Sequence, residues 1–301
     1  MTTVVALGGN ALIKPGQRGT AAEQRANLRE HLAALRSLLD EPAVITHGNG
    51  PQVGAALLRS ERAADEVPAL PLWVAVAQTQ AEIGGLVALE LGAVARRQVA
   101  CVVTHVRVDA DDPAFDEPTK PIGPFYSEEQ ARSLEREREW RLVEDAGRGW
   151  RRVVASPRPL EVVEIDSVRT LLDAGALTIA CGGGGIPVVA RDGRLDGVDA
   201  VIDKDYASAL LARGVGAERL AILTDVRALL RGFGTNAEEE VRRLTPDDAE
   251  ELLPELATGS MRPKVDAAIE FVRETGGEAL ITSADALADA IRGESGTRIA
   301  P

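Results

Sequence analysis

Short runs that are almost wholly apolar recur along this chain and alternate with longer amphipathic stretches. That alternation restricts the fold more than any other feature. The runs are TVVALGG (3–9), AVITHG (43–48), VACVVTHV (99–106), ALTIACGG (176–183), LAILTDV (220–226) and EALITS (278–283). A strand apolar on both sides must be covered on both faces, as in the mainly parallel sheet of an α/β protein. The clearest intervening stretch, QRANLREHLAALRSLLD (24–40), sets Leu28, Leu32, Leu35 and Leu39 at helical spacing. Ligands of such sheets gather at the carboxyl ends of the strands.

Three of those strand ends carry glycine turns: GGN (8–10), HGNG (47–50) and GGGG (182–185). One glycine turn can serve ordinary chain reversal; three at successive strand ends point to a shared anion-binding edge. The Gly-Lys-Ser/Thr of a nucleotide P-loop is missing, and no G-x-G-x-x-G opens a helix. His31, His47 and His105 are scattered, so no zinc spacing exists, and only His47 lies in a suggestive turn. A formal net charge of −13 argues against nucleic acid or an anionic membrane as partner. No apolar stretch approaches the roughly 20 residues of a membrane span. The start, MTTVVALGGN, lacks the basic segment and long apolar run of a secretory signal. Cys101 and Cys181 both lie in apolar runs and read as buried small hydrophobes. A cytoplasmic enzyme acting on a small molecule fits these features.

Residues 109–160 break the rhythm with acids, prolines and a charged helix, then return through GRGWRRVVASPRP (147–159). An excursion from the sheet, a small protruding flap within one domain spanning 1–301, explains them better than a linker. Residues 231–246 read as a surface loop. Of 34 basic residues only four are lysine: Lys14, Lys120, Lys204 and Lys264. Lys120 lies in the flap, and Lys204 stands between Asp203 and Asp205 at a helix start. Lys264 opens the helix of TGSMRPKVDAAIEF (258–271), where Ser260 is placed to cap. A lysine in a first turn faces the positive end of the helix dipole, and Arg262 adds a second cation. Two lysines at helix starts make sense if a polyphosphate lies there. The bland alternatives are a solvated ion pair for Lys204 and a surface lysine for Lys120. Together with the glycine turns, these residues would make a phosphoryl-transfer site, which needs alignment and charge neutralisation above all. Asp203 and Asp205 would hold Lys204 in place or help to hold a hydrated magnesium ion.

VVALGGNAL, VITHGNGPQVG, KPIGPFY, GWRRVVASPRP, ACGGGGIPVV, GVDAVIDKDYAS, LAILTDV and GSMRPKV, in this order, resemble the carbamate kinases of the amino acid kinase superfamily. The match runs from about residue 3 to about residue 285. The resemblance implies an open three-layer αβα sandwich around a mainly parallel sheet, with a protruding subdomain, and a homodimer. It also implies Mg2+ with ATP or ADP, and the reversible reaction of ATP and carbamate to ADP and carbamoyl phosphate. In the family this runs towards ATP synthesis in arginine metabolism. By motif, Gly8, Gly9, Asn10, Gly48, Asn49 and Gly50 would hold carbamate and the transferred phosphoryl group. Lys120, Lys204 and Lys264 would neutralise its charge, and Asp205 would organise the lysines. Gly182, Gly183, Asp203, Asp225, Met261 and Arg262, with the 231–236 loop, would border the nucleotide. Relatives acting on other acceptors commonly carry a lysine where this chain has Ala6, and the flap lysine is expected to supply that charge. Two departures stand out. Thr79 and Gln80 keep only part of a serine-glutamine stretch, and Arg262 replaces a glycine of GSMGPK. Arg262 either points outward, or adds a phosphate contact, or crowds the nucleotide. Another small carboxylate or phosphonate acceptor, or a catalytically impaired nucleotide-binding regulator, remains the alternative reading.

Overall fold

The structure, a computed structural model, describes residues 1–301 except Pro15, Glu139, Ala146, residues 233–237 and Thr258; of Asn10 and Ser37 it describes only the backbone. Strand β1 (Thr3–Leu7) is buried at all five positions. Its pleat sends Val4 and Ala6 into one core and Val5 and Leu7 into another. The neighbouring β2 (Ala43–His47) divides in the same way, with Val44 on one side and Ile45 on the other. The doubly apolar runs therefore mark strands covered on both faces.

Among the described residues the main sheet has eight strands. Their order is β15 (Arg243–Leu244), β17 (Thr297–Ile299), β16 (Glu278–Thr282), β12 (Arg219–Leu223), β1, β2, β9 (Leu177–Ile179) and β3 (Val99–Cys101). All pairs are parallel except β16 with β17. Helices α1 (Ala21–Ala34), α3 (Leu72–Gly92) and α9 (Leu287–Arg292) cover one face. Helices α5 (Ile165–Asp173), α6 (Lys204–Gly214), α7 (Pro246–Leu252) and α8 (Met261–Thr275) cover the other. This is a three-layer αβα sandwich. The helix expected over 24–40 begins earlier, at Ala21 after a Thr20–Glu23 capping box, and gives way to a tight turn at Arg36–Leu38. Its four spaced leucines are all buried.

The run 99–106 is not one strand. After Cys101 the chain leaves the main sheet, and β4 (His105–Val108) joins β11 (Arg194–Gly197), β10 (Ile186–Arg191) and β8 (Pro159–Val162). The pivot is Thr104, whose backbone N–H donates to Gln80 Oε1 at 2.6 Å. A third, antiparallel sheet has the order β5 (Lys120–Tyr126), β7 (Trp150–Val154) and β6 (Leu142–Glu144), with α4 (Glu128–Arg138) following β5. It leans on α2 (Gly50–Arg62) through an unusually close crossing. A Cβ on Gly54 would fall 2.1 Å from the Cα of Gly123, so the two backbones touch where side chains would normally intervene.

Three readings change. Cys181 is buried as expected, but Cys101 is exposed, because β3 is an edge strand. Residues 231–246 are not simply loop: β13 (Leu229–Arg231) pairs with β14 (Glu239–Val241), and β15 joins the main sheet. Finally, α3 is long and apolar enough by length and composition to cross a membrane. Polar residues interrupt its sequence, yet three of them, Thr79, Gln80 and Glu90, are buried against protein. Gln80 bonds to Thr104 and Gly182, and Glu90 to Arg25 and Arg29. Those contacts make α3 a core helix.

Candidate active site

At the carboxyl ends of β1 and β2, the main sheet, the start of α6, the start of α8 and β5 enclose a cavity of about 210 Å³. Its floor begins where β2 ends and α2 starts. Asn49 is the N-cap residue of α2 but makes no side-chain cap. Its amide donates instead to Thr79 Oγ1 at 3.1 Å, which leaves the first turn of α2 open to an anion. Thr79 and Gln80 thus stand behind the cavity lining and brace it. Gln80 Nε2 donates to the carbonyls of Thr104 and Gly182 at 3.2 and 3.0 Å and so fixes the glycine run. Within that run Gly183 has φ +66°, and a Cβ there would lie 2.4 Å from the Asn49 amide nitrogen; only glycine fits.

Beneath the floor His47 is fully buried, and its Nδ1 lies 3.1 Å from the Gly48 carbonyl. Burial pushes its pKa down to about 4, so the ring is neutral at pH 7 and Nδ1–H donates. A Cβ on Gly182 would lie 2.3 Å from His47 Nε2, so the imidazole occupies the space that a side chain would need.

The cations converge from three elements. Lys204 begins α6, its stem running over Gly48, and its ammonium is paired with Asp205. Lys264, in the first turn of α8, donates to the other Asp205 oxygen at 3.1 Å and to the Ser260 carbonyl at 3.1 Å. Lys120, from β5, is paired with Asp203. Asp203 also caps α6 by accepting from the Asp205 N–H at 2.9 Å. Burial works against charge on Asp205, but Lys204 and Lys264 more than offset it and hold the carboxyl far below its usual range. Burial pulls the Lys204 ammonium down despite Asp205. On Lys264 burial acts in the same sense, but Asp205 and Asp203 outweigh it and raise the pKa. Ser260, expected to cap α8, makes no side-chain cap; its carbonyl holds Lys264 instead.

Of the residues singled out by sequence, Gly9, Gly48, Asn49, Gly50, Gly183, Lys120, Asp203, Lys204, Asp205 and Lys264 line this cavity. Gly8 and Gly182 stand just behind it: a Cβ on Gly8 would strike the Leu223 carbonyl at 2.8 Å. Asp225 is exposed, and Met261 packs against the core below α8. The side chain of Asn10 and residues 233–236 of the expected nucleotide loop lie outside the described residues. Arg262 is exposed and does not line the cavity. The helix explains this, since two residues at 100° each place Arg262 and Lys264 on nearly opposite faces.

Four polar or charged lining residues were not singled out: Gln52, Asp145, Arg148 and Arg151. Arg151 is the most informative. Only 9% exposed, it donates from Nε to the Gly123 carbonyl and from Nη1 to Asp145, each at 3.1 Å. Its Nη2 is buried without a partner among the described residues. Strand alternation could have found it, because in WRRVV Arg151 shares the inward phase of Val153. Five cationic side chains and three carboxylates line the cavity of a protein whose overall charge is −13. Such a local excess draws anions in.

The model of the amino acid kinase family matches residues 1–283, and the chain belongs to that family of phosphotransferases. A carbamate kinase of Trichomonas vaginalis is 44% identical over 313 residues, covering 100% of both chains. The carbamate kinase of Giardia lamblia bound to citric acid superposes with a TM-score of 0.94 at 40% identity, covering 99% of this chain and 98% of that one. The same enzyme bound to AMP-PNP gives a TM-score of 0.90 at 40% identity, with coverage of 99% and 98%. Within its family the chain therefore stands among the carbamate kinases.

Proposed function

We propose that this protein transfers the γ-phosphoryl group of ATP reversibly to carbamate, giving ADP and carbamoyl phosphate. The observation that carries the reading is the meeting of Lys120, Lys204 and Lys264, tied by Asp203 and Asp205, over the uncapped start of α2. A carboxylate oxygen of carbamate attacks the γ-phosphorus while the bond to the bridging oxygen breaks, and that oxygen leaves on ADP. The nucleophile is already ionised, so no general base is required. This suits a cavity whose aspartates are all engaged by cations. The protein's task is alignment and charge neutralisation. Lys204 and Lys264 flank the transferred group, the first turn of α2 receives its oxygens, and Lys120 closes the site from β5.

The AMP-PNP complex of the Giardia lamblia relative supports ATP as donor. Magnesium fits here as a companion of the nucleotide. Among the described residues no group of three or more His, Cys, Asp or Glu forms a cage, and both Asp205 oxygens are taken by lysines. Bound to the phosphates, it would neutralise donor charge. We take residues 1–301 as one kinase domain, with 109–160 as its inserted flap. The reading further includes a cytoplasmic homodimer joined through the outer face of α3 and the edge strand β3, where Leu89, Val94 and Val103 are exposed. The deciding experiment is a coupled assay for ATP from ADP, magnesium and carbamoyl phosphate. ATP formation is expected; its absence with folded protein overturns the reading.

A further inference from the structure

We propose that Gln52 determines acceptor specificity, its side-chain oxygen accepting a hydrogen bond from the amino group of carbamate. The inference rests on the carbamate reading above. Gln52 lines the cavity two residues into α2 and is 7% exposed. A short relay fixes which way its amide points. The Gly19 carbonyl can only accept, and Gln24 Nε2 donates to it at 2.9 Å. Gln24 therefore presents Oε1 to Gln52, whose Nε2 donates at 2.9 Å. Flipping either amide would set oxygen against oxygen or nitrogen against nitrogen. Gln52 Oε1 is what remains, buried and without a partner among the described residues. A buried acceptor in that condition is destabilising until a donor reaches it.

Carbamate brings such a donor. Its nitrogen lone pair is delocalised into the carboxyl group, so the amino group donates hydrogen bonds and accepts none. At the other polarity, the unpartnered Nη2 of Arg151 lies beside Gly50, 3.8 Å from where a Cβ would stand. A partnerless acceptor and a partnerless donor thus flank the same helix start. Together they match the amino and carboxylate ends of the carbamate anion. A methyl group in place of the amino group would leave Gln52 Oε1 unpaired, a mismatch that polar sites reject strongly.

The test uses carbamoyl phosphate as substrate and acetyl phosphate, its methyl isostere, as competitor. For Gln52→Met, kcat/KM with carbamoyl phosphate is expected to fall about 10- to 100-fold, while the Ki of acetyl phosphate stays within about threefold. Gln24→Met, which removes the orienting partner, should narrow the discrimination in the same sense and by less. The inference is overturned if Gln52→Met keeps kcat/KM within about twofold, or if it weakens acetyl phosphate by the same factor. Should Gln52→Met not fold, unchanged discrimination in Gln24→Met overturns it. A wild-type protein that makes no ATP from carbamoyl phosphate instead refutes the parent reading.

Discussion

Lys264 and Arg262 stand two residues apart in the first turn of α8 and meet opposite fates. The lysine is buried against Asp205 and the arginine faces solvent. Lys264→Ala leaves Asp205 with one ammonium and removes a donor from the transferred group. It should lower kcat/KM by about 10²- to 10³-fold, read by the coupled assay. Arg262→Gly should change kcat and the KM for ADP less than about threefold, while costing about 0.5–1 kcal/mol of stability because glycine is a poor helix former. His47 carries a pH signature. Its folded-state pKa of about 4 lies below the ordinary 6.5, so between those values the unfolded chain binds the extra proton. Stability therefore falls as pH drops from 6.5 to 4, by up to about 3 kcal/mol. His47→Gln should flatten the melting temperature across that window. At this scale the lysines were legible because they are rare. Arg151 was not, being one arginine among 30, and neither was Gln52, whose role comes from Gln24 and Gly19 far behind it in the chain.

Elements place those residues, and the crossing of α2 with β5 matters most. Because Gly54 and Gly123 meet backbone to backbone, β5 can set Lys120 over the start of α2. Gly54→Val would force the two apart. Main-sheet circular dichroism should be preserved, while kcat/KM falls by about tenfold or more through misplacement of Lys120. The parallel strands and leucine-striped α1 were readable from periodicity, since both are repeated signals. The break after Cys101 was not, because nothing in VACVVTHV announces that a glutamine from α3 captures Thr104 and turns the chain. The pairing of β13 with β14 was equally hidden, for its short, polar sequence reads as loop.

For the whole molecule, the sandwich leaves α3 and β3 with an apolar outer surface, Leu89 being 63% exposed. Light scattering should report a dimer, and Leu89→Glu should shift it towards monomer; a monomeric wild type would sink the proposed seam. The layered fold was expected from strands that must be covered on both faces. Which apolar residues are left over for a seam, only packing shows. One further consequence lies in where the amines are. Three of the four lysines line the cavity, each held by an aspartate, and only Lys14 stands away from it. Amine-reactive reagents should meet Lys14, its side chain 36% exposed, before the three cavity lysines. The enzyme could be tethered to a solid support through Lys14 while its three cavity lysines stay paired with their aspartates.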